Sequence, residues 1–168
     1  MKWFLALFAG LLSVSANAGV DIKHDEFLLK LGGDWVTVPG LDKRQFIFES
    51  KSNKTSVVLS LMSPLKISQE RLVEVAEKFV ETREKAEREA RKGQKIKFGD
   101  KWVKLRPSKD VVEIAYAGFD EKGTIFRFFG FVTQRKILSF WVSTETRDNE
   151  FSKKVFDEVY KGLKFYVP

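Results

Sequence analysis

Apolar and polar side chains alternate with a period of two after residue 18, a pattern typical of strands with one buried face. The strands that this alternation predicts span residues 27–31, 35–38, 45–49 and 56–62. Turn residues separate them, among them Gly32-Gly33, Pro39-Gly40 and the polar segment SKSNKTS, whose Ser and Asn side chains can bond to turn backbone. We therefore expect an antiparallel sheet to open the fold.

Two segments change to the period of 3.6 residues that marks amphipathic helices. The first follows Ser68, a candidate N-cap, and ends before Gly93. Its apolar stripe consists of Leu72, Val75, Ala76, Phe79 and Val80. The charged half at 81–92 is expected to project into solvent beyond the sheet, as a solvated extension or a docking arm. The ion pairs expected to support it are Glu81 with Lys85, Glu84 with Arg88 and Glu87 with Arg91. The second helix is predicted from residue 148 or 149 to residue 162.

Between these helices the alternation returns and predicts a meander of strands. A short strand at 101–105 is followed by three longer strands at 111–119, 124–132 and 136–144. The loop DEKG and a tight turn at Gln134-Arg135 join the long strands as antiparallel neighbours. The final residues, KFYVP, are predicted to form an edge strand.

The pairing of the meander follows from its short turns, because opposed residues share one face of a sheet. One predicted face is almost continuously apolar, with Val112, Ile114, Tyr116, Phe129, Phe131, Leu138, Phe140 and Val142. The other alternates small and aromatic residues, with Ala115, Ala117, Phe126, Phe128, Gly130, Ser139 and Trp141. The predicted fold class is therefore α+β, with a central antiparallel sheet, a helix packed on each face, and a shallow trough on the second face.

A candidate recognition site lies in this trough. It consists of Glu113, which the predicted register places opposite Gly130, together with Phe128, Ser139 and Trp141. A buried carboxylate needs a partner, so this group suits a sugar or an amine as ligand. The alternative is that Glu113 lies at the margin of the sheet, in water.

The first eighteen residues have the features of a signal peptide. Lys2 precedes an apolar run at 3–12, and the segment ends in Ala16-Asn17-Ala18, the A-x-A pattern of signal peptidase. The run is shorter than the roughly 20 residues of a membrane span, and no later stretch is long and apolar enough. We expect cleavage after Ala18 and a mature chain, 19–168, that forms a single domain without a transmembrane segment; an uncleaved anchor is the alternative.

The formal net charge of the sequence is +7, of which Lys2 contributes one. A basic exported protein can meet an acidic protein, anionic lipid or a cell-wall polymer. Interleaved charges along the first helix argue against nucleic acid. Arg135-Lys136 and Lys153-Lys154 are candidates for steering an acidic partner or for weak contact with a membrane surface. The chain has no cysteine and hence no disulfide, which favours the periplasm, with full secretion as the alternative.

The sequence contains no recognisable catalytic set. His24 is the single histidine and stands near the predicted mature N-terminus, where chains are usually mobile. No P-loop, GxGxxG, HExxH or calcium-loop motif is present, so we predict no cofactor and no metal site. Carboxylate chemistry remains open, because glycoside cleavage needs only two carboxyl groups.

The order of the elements and one short motif resemble the PsbP-like superfamily. The motif is Trp35-x-x-x-Pro39 in GDWVTVPG, followed by QFIFES, TSVVLSLM, the long helix, the meander and the closing helix in EFSKKVFDEVYKGLKF. The resemblance covers nearly the whole mature chain and implies an α/β/α sandwich. This superfamily includes photosystem accessory proteins, a nuclear GTPase-binding import factor, and DcrB-like bacterial periplasmic proteins with related chaperones of type VI secretion effectors.

Because members of this superfamily mostly act by binding other proteins, the resemblance implies a non-enzymatic binding module and carries over no catalytic residue. The DcrB-like branch suits an exported chain, although the lipobox cysteine of its lipoproteins is missing here. We expect an acidic protein partner and an envelope accessory, effector-associated or immunity-type role. The alternatives are a small-molecule or lipid binder on the aromatic face of the sheet and, third, a carboxylate-dependent hydrolase.

Overall fold

The computed structural model describes residues 19–39, 44–91 and 93–166, so the predicted signal peptide lies outside the described residues. The strands within these ranges are β1 (Val20–His24), β2 (Phe27–Leu31), β3 (Val36–Val38), β4 (Gln45–Ser50), β5 (Thr55–Met62), β6 (Ile96–Phe98), β7 (Trp102–Leu105), β8 (Val111–Asp120), β9 (Thr124–Thr133), β10 (Ile137–Glu145) and β11 (Leu163–Phe165). The helices are α1 (Leu72–Ala90), which a 3₁₀ turn at Gln69–Arg71 precedes, and α2 (Asn149–Gly162). No helix in the part of the chain that the structure describes is long and apolar enough to cross a membrane.

The strands form two antiparallel sheets. The large sheet has the order β3-β4-β5-β10-β9-β8-β6, and β7 also pairs with β8. The small sheet has the order β1-β2-β11. The α+β class with a central antiparallel sheet is thereby confirmed. The alternation pattern missed β1 and β6. It also predicted β2 in one sheet with the strands that follow it, whereas β2 lies in the small sheet.

Helix α1 packs against one face of the large sheet, the α1 face. Its stripe buries Leu72, Ala76 and Val80. These side chains share a cluster with alternate residues of the strands, namely Val112, Ile114, Tyr116, Phe126, Phe128, Val132 and Ile137. The predicted cap is wrong in detail, because Ser68 precedes the 3₁₀ turn and makes no capping hydrogen bond with its side chain.

Helix α2 and the small sheet belong to a second cluster, which covers what we call the α2 face. The strands contribute Phe27, Leu29, Leu31, Phe48, Val57, Leu59, Phe129, Phe131, Phe140 and Val142 to it, and the helix contributes Val155 and Val159. Buried Trp35, the residue before β3, contacts this helix, because its Nε1 donates to Oε1 of Glu158 at 3.1 Å. The predicted start of α2 is confirmed: the Asp148 side chain accepts from the backbone N–H of Glu150 and of Phe151.

The register of the meander is the predicted one between β9 and β10 but not between β8 and β9. Phe128 lies opposite Trp141, as expected. In contrast, Glu113 lies opposite Phe131, one residue away from its predicted partner. A one-residue shift moves every side chain of a strand to the other face. Ala115 and Ala117 therefore belong to the α2 face, and the predicted trough is divided between the two faces.

The turn between β8 and β9 explains this shift. The prediction treated DEKG as a four-residue loop, but Asp120 remains in the strand and only residues 121–123 form the loop. Oδ1 of Asp120 accepts from the backbone N–H of Lys122 and of Thr124, both at 3.0 Å. Gly123 has φ +90°, which closes a three-residue hairpin loop.

The charged second half of α1 packs on the sheet, so its predicted projection into solvent is wrong. Glu87 is buried and forms ion pairs with Arg91 and with Arg83. Arg91 also pairs with Asp120 of β8, with 3.3 Å between Nε and Oδ2. A buried network of ion pairs thus holds this half of the helix against the large sheet.

Aromatic rings complete this contact. The Arg88 guanidinium lies 4.6 Å from the ring centre of Phe98, and Glu84 pairs with Lys101 at 2.8 Å instead of with Arg88. Guanidinium groups pack favourably on aromatic faces. A helix surface that is charged all round can therefore cover an aromatic sheet.

Candidate functional site

The predicted recognition site is not assembled in the structure. Glu113 lies on the α2 face, where its Oε1 accepts from Nε of Arg106 at 2.8 Å. Ser139 and Trp141 lie on the α1 face, opposite Gly130 and Phe128 respectively. The shifted register of β8 is the physical reason for the separation.

The remaining trough residues are largely covered by α1. Phe128 is 2% exposed and stacks on Tyr116, with 4.9 Å between ring centres. Ser139 is buried, and the half-buried indole of Trp141 lies beneath the Arg91 guanidinium, 5.6 Å from the ring centre. The indole N–H of Trp141 is buried and has no hydrogen-bond partner among the described residues.

The turn cations Arg135 and Lys136 have different surroundings. Lys136 pairs with Glu26 and donates to the carbonyl of Tyr166 at 2.9 Å, so it ties the β9–β10 turn to the small sheet. Arg135 is exposed beside a cavity of about 610 Å³ that Glu26 and Lys136 also line. Of the two, Arg135 is the one available to a partner.

Three cavities follow one another along α2, and together we call them the α2 groove. The stripe of α2 that they share contains Asn149, Phe156 and Tyr160, whose spacings of seven and four residues put them on one side of the helix. The cavity at the N-terminal end of α2 measures about 760 Å³, the middle one about 230 Å³ and the last about 220 Å³. The groove therefore runs between α2 and the edge of the large sheet.

Small side chains on β8 open this groove. Ala117 lines both the largest and the middle cavity, and Ala115 lines the middle one. These are two of the four small residues that the sequence pattern placed in one trough; the other two, Gly130 and Ser139, lie on the α1 face, so the predicted floor is not assembled. The correct face follows only when the loop between β8 and β9 is counted as three residues.

Two exposed aromatic rings border the groove, each beneath a lysine. Trp102 is 46% exposed, with Nζ of Lys104 5.9 Å from its ring centre. Phe119 is 49% exposed, with Nζ of Lys97 5.9 Å from its ring centre. Neither lysine takes part in an ion pair with a described residue. We call these four residues the edge patch.

Sequence reasoning missed the edge patch, although a signal for it was present. The segment KIKFGDKWVKLR, residues 95–106, contains five cations and one carboxylate, with Trp102 among them. Lys97 and Phe119 pair directly, and Trp102 pairs with Ala115. The four side chains share the α2 face because side chains alternate along each strand.

Arg127 lies inside the groove, where it lines the middle cavity. Its Nε donates to Oγ of Ser152 at 3.3 Å, and its Nη2 donates to Oδ1 of Asn149 at 2.6 Å and to the carbonyl of Asn149 at 3.3 Å. All three acceptors are neutral. Burial lowers the pKa of Arg127, an effect that the carboxylates of Asp157 and Glu150 partly oppose. No cluster of three or more metal-ligating side chains occurs in the described ranges.

The order of the elements around the α2 groove defines a PsbP-like α+β fold, as the sequence predicted. A solved structure with this fold is the solution structure of cyanobacterial PsbP, CyanoP, from Synechocystis sp. PCC 6803. The two structures align with a TM-score of 0.64 and 12% sequence identity over 92% of this chain and 96% of that one. No family model and no curated protein matches the sequence. The similarity does not single out the DcrB-like branch.

Proposed function

We propose that the protein is a non-catalytic binding module of the bacterial periplasm that docks an acidic protein partner through the edge patch. The observation that carries this proposal is the pairing of two exposed aromatic rings with two lysines that have no ion-pair partner among the described residues. The location rests on the predicted signal peptide.

The chemistry of the edge patch suits a protein interface. Trp is enriched among the residues that contribute most binding energy, and Trp102 offers about half of its surface to a partner. Unpaired cations around such an anchor attract carboxylates and accelerate association at low salt. An acidic partner is therefore favoured over a neutral or basic one.

The nearest candidate for acid catalysis is already engaged. Glu113 forms an ion pair with Arg106, whose guanidinium also lies 4.7 Å from the ring centre of Phe131. This arrangement favours a structural role for the carboxylate. Docking alone is sufficient for an envelope accessory, an effector-associated chaperone or an immunity protein, including a DcrB-like one.

A photo-crosslinking experiment tests the proposal. We expect p-benzoylphenylalanine in place of Trp102 to give one discrete adduct with an acidic protein in the native host. The matched control is the same substitution at Val36, which is 50% exposed on the opposite edge strand of the large sheet. The absence of any adduct specific to position 102 would contradict docking at the edge patch.

The identified partner is then titrated in purified form. We expect Lys97→Glu combined with Lys104→Glu to weaken binding at least about tenfold and to reduce its salt dependence, since charge complementarity is reversed. Lys51→Glu combined with Lys66→Glu changes the net charge equally at exposed sites elsewhere and should leave affinity nearly unchanged. Equal affinities of the two double variants would exclude the edge patch as the interface.

A further inference from the structure

We infer that the α2 groove is a binding site for a small amphipathic carboxylate, with the carboxylate at Arg127 and the apolar group in the largest cavity. This inference goes beyond docking of a protein at the edge patch and does not depend on it. It rests on the size of the groove, on its apolar floor, and on the guanidinium of Arg127, which bonds only to neutral acceptors among the described residues.

The size and lining of the largest cavity suit a small ligand. Its volume, about 760 Å³, lies in the range of roughly 300–1,000 Å³ that is usual for small-molecule sites. Ala117, Phe119 and Ile125 line it with apolar atoms. Because Ala117 also lines the middle cavity, one ligand can extend from the largest cavity to Arg127.

Arg127 supplies the recognition of an anion. Its three hydrogen bonds use Nε and Nη2 and reach only neutral acceptors, and Nη1 makes no hydrogen bond to a described residue. A half-buried guanidinium without a directly bound carboxylate is incompletely compensated. A ligand carboxylate would supply the missing counter-charge, and planar guanidinium groups bind carboxylates well.

The other charges along the groove permit this assignment. Lys97 and Arg147 line the largest cavity and add positive charge. Of the acids, Asp120 is engaged by Arg91 and by backbone N–H groups. Glu121 is exposed to water, which screens its repulsion of an anion.

Asp100 lines the middle cavity and is also exposed, and Trp102 and Phe156 stand beside it as apolar walls. On α2, Asp157 and Glu150 act on Arg127 without bonding to it directly. The half-buried cation therefore dominates the interior of the groove, because Asp100 and Glu121 are exposed to water and Asp157 pairs with Lys153. An anionic head is favoured over a cationic one.

The test uses four soluble probes and the purified chain from Gly19 onward, followed by amide NMR. Octanoate and 4-phenylbutyrate are the aliphatic and aromatic carboxylates, 1-octanol is the neutral control, and octyltrimethylammonium is the cationic control. We expect at least one carboxylate to shift the amide signals of Ala117 and Ile125 and to bind at least about tenfold tighter than either control. Tighter binding of octanoate would identify the natural ligand as an acyl lipid, and tighter binding of 4-phenylbutyrate would identify it as an aromatic acid.

Two variants locate the site. Ala117→Leu fills the junction of the two cavities and should abolish carboxylate binding, whereas Ala86→Leu, at an exposed position of α1, should not change it. Arg127→Met should weaken octanoate at least about tenfold and leave 1-octanol unaffected, because hydrogen bonds to charged groups contribute about 1.4 kcal/mol or more. If Arg127→Met does not fold, Ala117→Leu decides the location alone.

Three results would overturn the inference: no binding of either carboxylate, binding of either control as tightly as the better carboxylate, or undiminished carboxylate binding by Ala117→Leu. Ala117→Leu leaves the edge patch intact, so protein docking should survive in it. Failure of the carboxylate site and failure of the docking proposal are thereby distinguishable.

Discussion

Asp34 shows how a single carboxylate organises the loop that precedes β3. It accepts hydrogen bonds from the hydroxyl of buried Ser50 at 2.6 Å, and from the backbone N–H and hydroxyl of Ser52 at 2.7 and 2.9 Å. These bonds, with that from Ser50 first, lower the pKa of Asp34 to about 2. Nothing in the sequence predicted this cluster, because sixteen or more residues separate the carboxylate from its donors.

The depressed pKa of Asp34 predicts a pH-dependent contribution to stability. A carboxylate whose pKa is lower in the folded state contributes stability above its unfolded pKa, near 3.8, and loses it as the pH falls through about 2. We expect Asp34→Asn to be less stable than the native chain at pH 5, and the difference to shrink towards pH 2. Urea unfolding across this range measures it, with Asp25→Asn in an exposed turn as the control. A difference that stays constant with pH would contradict this assignment.

At the scale of elements, the sequence predicted strands and helices well where local patterns decide them, and failed where loop length or distant partners decide. The register of β9 with β10 follows from a short turn and was correct. The register of β8 depended on whether Asp120 belongs to the strand, and its side-chain bonds to the loop backbone keep it there. The candidate site was wrong for this reason, because a shift of one residue moved both Glu113 and Ala117 from the predicted face of the sheet to the α2 face.

The charged half of α1 could not be placed by its own pattern. Its partners, Asp120 and Phe98, lie on β8 and β6, and the helix sequence carries no information about them. Periodicity described the apolar stripe correctly, but the charge pattern wrongly predicted that the charged half projects into solvent. Burial of Glu87 is the observable that separates a packed helix from a solvated one.

Replacement of Glu87 tests whether the ion-pair network holds α1 to the sheet. We expect Glu87→Ala to lower the free energy of unfolding by about 3 kcal/mol, because Arg83 and Arg91 lose their shared partner in a buried site. The matched control, Glu89→Ala, removes an exposed carboxylate from the same turn of helix and should change stability by less than about 0.5 kcal/mol. Chemical denaturation measures both, and equal effects would show that the network contributes nothing.

At the scale of the whole molecule, the fold is two helices and a small sheet packed on a large antiparallel sheet. Residue order and periodicity predicted the α+β class with a central antiparallel sheet, and the structural similarity to CyanoP confirms that class, but the separate small sheet was not predicted. The α2 groove and the edge patch were not predicted, because they arise where β6, β7, β8 and α2 meet and no local pattern encodes that meeting.

The predicted signal peptide makes a prediction about the start of the mature protein. We expect the protein recovered from the periplasm to begin at Gly19, since cleavage should follow Ala16-Asn17-Ala18. Intact-mass spectrometry and N-terminal sequencing measure the start. Changing Ala18 to a bulky residue should leave the precursor uncleaved, while Ala9→Leu, inside the apolar run, should be processed normally. Recovery of the full-length chain from native cells would contradict a cleavable leader.

The small sheet brings β1 and β11 to the two sides of β2, and the backbone N–H of Tyr166 donates to the carbonyl of Glu26 at 2.9 Å. A chain that is synthesised from its N-terminal end makes β2 early but supplies its second neighbour only with the closing strand. Without β11, that edge of β2 has unpaired backbone N–H and C=O groups. A variant shortened before residue 163 is therefore expected to self-associate more readily than the native chain, because an unpaired strand edge can pair with another molecule.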